Sequence, residues 1–188
     1  ADVEAIRHEV PLVKHVCLET VRWMPVTYLD RLVNIPVRGV CPEYGEMRNE
    51  VPQQGRWISH EDLLERRRVV FIGHEVRQKL FAGRPAVGET VAIGGLRFTV
   101  IGTMDKKIQM SNYFSSDDES AWIPYTTAGQ LWNNRYGSVL LFETVAPRLE
   151  AQAKELEARN ADLESKTDEL ETSQATLNRL KIEFEKVL

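Results

Sequence analysis

The chain has 188 residues, enough for one well-buried domain with an appendage. Its formal net charge of −4 leaves no electrostatic footprint for nucleic acid or an anionic membrane surface. No run of about 18 apolar residues is present, so no segment reads as a membrane span, and the polar opening Ala1-Asp2-Val3-Glu4 does not read as a signal peptide.

Composition divides the chain near Thr144. All eleven Gly, all four Trp and seven of the eight Pro precede Val145. The remainder carries seven Lys/Arg and ten Asp/Glu, with Phe184 as its sole aromatic residue. This predicts an α+β protein: a compact head of mixed strands and helices, in one or two lobes, over 1–144, then one long helix over 145–188.

Asp2–Glu9 reads as a helix with Val3 and Ile6 on its apolar side, stopped by Pro11. His15–Trp23 and Leu32–Cys41 read as strands around a turn at Tyr28-Leu29-Asp30-Arg31. Antiparallel pairing about that turn brings Cys17 and Cys41 close together, which predicts neighbours, bonded as a disulfide in an oxidising compartment. The alternative is two small buried hydrophobes, and a slip of one residue would turn one thiol to the other face.

Cys41–Gly45 forms a turn into a short helix, and Gly55-Arg56-Trp57 forms another turn. Ser59 stands three residues before Asp62, the spacing of a helix cap, with Leu63 and Leu64 supplying the buried face. Val69–Ile72 is a continuous apolar run closed by Gly73 and reads as a buried strand. Val76, Leu80 and Phe81 then recur at helical spacing. After turn residues Gly83, Pro85 and Gly88, the runs Thr90–Ile93 and Leu96–Ile101 flank Gly94-Gly95, a two-residue hairpin signal.

Asp105–Ser120 reads as a solvated polar loop. Its acidic end, Asp117-Asp118-Glu119, lacks the spacing and glycine of a dedicated calcium loop. Trp122–Tyr125 is a short strand whose Pro124 favours an edge. Thr126 and Thr127 are placed to cap a helix through Leu131 and Trp132, and Ser138–Thr144 is a last core strand.

The pattern assigns no catalytic residue, no cofactor site and no metal ligand set. His60-Glu61 and His74-Glu75 would need a second His four residues after the first to form a metalloprotease helix, but those positions hold Leu64 and Gln78. The four histidines, at 8, 15, 60 and 74, are scattered. Gly94-Gly95 precedes a strand and lacks the Lys-Ser/Thr of a phosphate loop. Arg66-Arg67-Arg68 suits the C-terminal end of a helix dipole.

In the tail, Leu149, Leu156, Leu163, Leu170 and Leu177 recur every seven residues and Phe184 continues the series. From Pro147 onward the chain lacks further Pro and any Gly, so a helix of about 60 Å is expected. With the leucines at d, the a positions are Ala153, Asn160, Thr167, Gln174 and Lys181. Asn160 favours a parallel, in-register pair, with Arg159 facing Glu164 and Lys166 facing Glu171 of a partner. Leu177, Leu180, Phe184 and Val187 make the C-terminal turns the stickiest part. The seam can pair with a second copy, with a second helix of a longer chain, or with a neighbouring protein.

The ordered series Val37-Arg38-Gly39-Val40, Pro42-Glu43-Tyr44, Gly55-Arg56 with Ile58 and Asp62, Val69–Gly73, Leu80-Phe81, Pro85, Val87-Gly88, Phe98-Val100-Ile101-Gly102 and Ile123-Pro124 resembles the periplasmic core domain of MacB/FtsX-type ABC-transporter permeases over about 1–144. The resemblance implies a non-catalytic extracytoplasmic module of an inner-membrane protein. It would be coupled through absent transmembrane helices to a cytoplasmic ATPase domain or subunit, and would handle a substrate, a periplasmic adaptor or another partner protein. The heptad tail is not part of that pattern. The alternative reading is a free-standing coiled-coil adaptor whose long helix docks a partner.

Overall fold

The computed structural model describes residues 2–10, 12–108, 113–145, 154–164, 166–167, 170 and 173–174. Two compact units emerge, Ala1–Glu143 and Thr144–Leu188.

The first unit opens with α1 (Asp2–Glu9) and continues into β1 (Val13–Tyr28) and β2 (Arg31–Val40). These two strands pair antiparallel from Thr20↔Gly39 to Tyr28↔Arg31, so the turn is where the sequence places it. α2 (Tyr44–Arg48), β3 (Pro52–Gly55) and α3 (His60–Leu64) follow. β3 replaces part of an expected turn region. Its residues Pro52-Gln53-Gln54-Gly55 carry no alternation of apolar and polar types, and only pairing with a distant strand makes them extended.

Next come β4 (Val69–Ile72), α4 (His74–Phe81), β5 (Thr90–Ile93) and β6 (Leu96–Met104). Gly94 and Gly95 both have positive φ, 54° and 86°, as a two-residue hairpin with Ile93↔Leu96 requires. β7 (Ala121–Pro124), α5 (Tyr125–Ala128) and β8 (Val139–Thr144) complete the unit. The strands form one mixed sheet in the order β2-β7-β4-β6-β5-β1-β8, with β3 beside β6. Because β1 pairs with β2 as well as β5, the path from β2 to β1 closes into a ring.

Closure explains the unbroken apolar runs. Val70 and Ile72 of β4 join one core cluster while Phe71 joins another; in β7, Ala121 and Ile123 divide from Trp122 in the same way. Successive side chains of a strand point to opposite faces, so strands covered on both faces read as continuous hydrophobes. The larger cluster holds Val76, Leu80 and Phe81 of α4, and the smaller holds Cys17, Tyr44, Ile58 and Met104.

Three local expectations are corrected. Leu64 does not supply a buried face to α3: it is 80% exposed, and the buried residue of that helix is Asp62, held inside by its bonds to Arg56 and Ser59. β7 is not an edge strand: it lies between β2 and β4, and Pro124 is tolerated because it is the strand's last residue and opens α5. Thr126 and Thr127 do not cap α5, which begins at Tyr125. Their hydroxyls instead donate to the Leu63 and Arg67 carbonyls, tying α5 to the end of α3.

In the second unit, residues 154–164, 166–167, 170 and 173–174 are helical, and their side chains are exposed. Arg159 pairs with Glu155 at 2.8 Å and Lys166 with Asp162 at 2.7 Å, within the helix. Leu149 and the turns from Leu177 onward lie outside the described residues.

Candidate functional site

Arg38 sits near the C-terminal end of β2 and is 1% exposed, a position that an arginine occupies only when its charge is answered. Glu19 of β1, fully buried, accepts from Arg38 Nη1 at 2.9 Å. The other fork of the guanidinium reaches into 113–120: Nη2 donates to the carbonyls of Ser115 (3.1 Å) and Tyr113 (3.3 Å), and Nε to Ser120 Oγ (3.2 Å). Tyr113 returns the contact by donating its hydroxyl to Glu19 Oε2 at 2.6 Å, and its hydroxyl lies 3.2 Å from that of Tyr44. The Tyr113 ring is flanked by the guanidinium carbons of Arg38 and Arg48, 5.2 and 5.1 Å from its centroid.

A second layer is built on Lys107. Its ammonium donates to Glu50 (3.0 Å), Asp117 (3.0 Å) and the Arg48 carbonyl (2.6 Å), while Arg48 lies 3.5 Å from Asp117. The expectation of a solvated loop over 105–120 is therefore overturned at its acidic end. Asp117 and Ser120 are fully buried and Asp118 nearly so. The physical reason is that Arg38, Arg48 and Lys107 converge on it, and a buried carboxylate is stable when paired and hydrogen-bonded. Gly73 belongs to the same fit, because a Cβ there would collide with the backbone oxygens of Asp117 and Asp118.

Burial pushes the Tyr44 hydroxyl up to about 12, with the Glu19 charge adding to it, and moves Tyr113 upward for the same first reason. Both phenols stay protonated at neutral pH and serve as hydrogen-bond donors. Burial raises Glu50 to about 7, reinforced by the charge of Asp117 and opposed by Lys107. This arrangement fixes a loop to three elements; what it does chemically is hold charges still.

Arg56 and Asp62 form a second built feature. The Arg56 fork donates to both Asp62 oxygens, at 2.6 and 3.0 Å, and Ser59 and Asp62 complete a reciprocal capping box at the start of α3. Burial alone would raise Asp62, but hydrogen bonds from Arg56 and Ser59 hold it down at about 2.

Cys17 and Cys41 are joined in a disulfide, with Cα atoms 5.8 Å apart, just beyond the last paired residues of β1 and β2. Leu156, Asn160, Leu163 and Leu170 of the seam lie on helical residues, the three leucines 60–69% exposed; Leu149, Leu177, Leu180, Phe184 and Val187 fall outside the described residues. Local patterns did not identify Glu19, Glu50, Lys107, Tyr113 or Asp117. The one available signal was Arg38, a charged residue inside an apolar strand, which needed a partner from elsewhere.

Comparisons with known proteins fit this architecture. A macrolide export ATP-binding/permease protein MacB of Chlorobaculum tepidum is 31% identical over 156 residues, covering 80% of this chain and 24% of its own. A protein of the same description from Bdellovibrio bacteriovorus is 32% identical, covering 68% of this chain and 19% of its own. The chain thus spans about a quarter or less of these relatives. Among solved structures, the extracellular domain of the noncanonic ABC-type transporter YknZ from Gram-positive bacteria superposes with a TM-score of 0.67 at 21% identity, over 80% of this chain and 75% of that one. The periplasmic region of MacB from Actinobacillus actinomycetemcomitans gives 0.61 at 15% identity, over 85% and 73%; these two likenesses are of fold. The family model for the MacB-like periplasmic core domain matches residues 1–162, running past Thr144 into the tail, and the chain belongs to that family.

Proposed function

We propose that this chain is the extracytoplasmic domain of an ABC-transporter permease, a non-catalytic body that couples ATP hydrolysis in the cytoplasm to export of a substrate or to the engagement of a periplasmic adaptor. The observation that carries the reading is membership of the periplasmic core family together with relatives described as export ATP-binding/permease proteins. The clasp around Arg38 supports it, because a body that passes on movement must not yield internally. A loop anchored by buried charges resists local opening.

The reading requires apolar spans flanking this segment in its full reading frame, and an ATPase domain or subunit associated with the intact membrane protein. Purification of that protein in detergent, followed by ATPase assay and identification of what accompanies it, tests both. A parent chain with no membrane-crossing segment, or an intact protein with neither an ATPase domain nor an ATPase partner, would overturn it and favour the free-standing adaptor.

The exposed heptad leucines support a further element of this proposal: the tail pairs in parallel with a second copy. Arg159 and Lys166 then exchange intrahelical partners for Glu164 and Glu171 across the seam, a change worth only tenths of a kcal/mol per pair, roughly, at an exposed surface. The leucines therefore supply the attraction and Asn160 the register.

A further inference from the structure

The scattered histidines leave one of their number in company that the linear sequence does not reveal. His15 of β1, Glu46 of α2 and Glu143 of β8 each offer a ligand atom, and these atoms all lie within 4.8 Å of one another. His15 Nε2 is 3.7 Å from Glu46 Oε2 and 3.9 Å from Glu143 Oε2. Donors bound to one tetrahedral ion at about 2.0–2.1 Å stand roughly 3.4 Å apart, so the two edges at His15 close with shifts of a few tenths of an ångström, and the edge between the two carboxylates starts from within 4.8 Å. Glu143 Oε2 is itself shut away from solvent and accepts no hydrogen bond among the described residues, although a buried carboxylate oxygen ordinarily has a partner. What holds the two carboxylates together is the Lys14 ammonium, 2.6 Å from Glu46 Oε1 and 3.4 Å from Glu143 Oε1. That ammonium carries one positive charge against two negative ones, and its side chain is 42% exposed and free to swing out.

We propose that His15, Glu46 and Glu143 form a site for a divalent first-row transition cation of the zinc type, in competition with Lys14. One imidazole nitrogen and two carboxylate oxygens make a donor set that such ions accept, with water completing the coordination. A dication neutralises both carboxylates, which Lys14 does by half. The bound ion joins the start of β1, α2 and the end of β8, so it acts as a clip on the unit, and no chemistry is assigned to it. Magnesium lacks the preference for imidazole and is a poor occupant.

The experiment is calorimetric titration of the whole chain with Zn²⁺ in a non-chelating buffer, with thermal melting in parallel. One ion per chain is expected, with a raised melting temperature that Mg²⁺ does not reproduce. His15→Ala and Glu143→Gln each weaken binding by about tenfold or more, whereas Lys14→Ala, which removes the competing cation and no ligand, strengthens it. His60→Ala, at an exposed histidine elsewhere, leaves affinity unchanged. The Lys14 variant keeps the test decisive should a ligand variant fold poorly. Absence of Zn²⁺ binding at about a hundred micromolar, or affinity indifferent to His15→Ala and Lys14→Ala, overturns the site without touching the transporter reading.

Discussion

Arg38 supplies the sharpest expectations at the scale of single residues. Replacing it by Met removes the partner of a fully buried Glu19 and three donors to 113–120, so a loss of about 3–5 kcal/mol is expected in urea unfolding. Pairing that change with Glu19→Leu should restore a large part of the loss, because no uncompensated charge then remains inside. A double variant no more stable than the single one would mean that the hydrogen bonds to the loop, and not the ion pair, dominate. Cys17 and Cys41 close a loop with a sequence separation of 24, for which about 3 kcal/mol of stabilisation is expected. Thiol titration of the denatured, unreduced protein should find no free thiol, and reductant should lower the melting temperature.

Among the elements, the packing of Lys107 and Asp117 against α2 responds to pH through Glu50. A carboxyl raised in the folded state from 4.5 to about 7 keeps its proton over a range in which the unfolded chain has lost it. The folded state then binds more protons, so this group's contribution to stability falls as pH rises from 4.5 through 7. Glu50→Gln, a mimic of the protonated form, should therefore gain on the parent between pH 5 and pH 8 by on the order of 2 kcal/mol. A stability difference flat across that range would show that Lys107 keeps Glu50 ionised throughout. The cap of α3 has the opposite sign. Asp62, held at about 2, supports the fold above its unfolded value of 3.8 and loses that support as pH falls toward 2. Ser59→Ala should cost about 1 kcal/mol at neutral pH.

The same elements show which features local sequence can encode. The β1–β2 turn, the Gly94-Gly95 hairpin, the Ser59–Asp62 cap and the buried run Val69–Ile72 are signalled within a few residues by turn chemistry, capping or periodicity. β3, the interior place of β7 and the burial of Asp117 are not. Each depends on partners brought from tens of residues away, and an acidic stretch has the same composition whether water or three basic side chains surround it. The seam residues of the tail are legible as a heptad, yet a heptad does not name its partner.

For the molecule as a whole, association is the measurable property. If the tail self-pairs in parallel, sedimentation of the chain should show a dimer at micromolar concentration that dissociates more readily when Leu163 and Leu170 become Asn. A monomer at high micromolar concentration would refute self-pairing and leave the exposed leucines to another helix. The clasp and the ring of strands make the first unit a single body. Ser138 donates its backbone N–H to the Glu19 carbonyl, while farther along β8 Glu143 comes within 3.4 Å of Lys14, so β8 runs back along β1 toward its start. The point where the sheet is entered and the point where it is left are therefore neighbours. A body whose two ends meet can be spliced into a host polypeptide without prising apart the segments on either side.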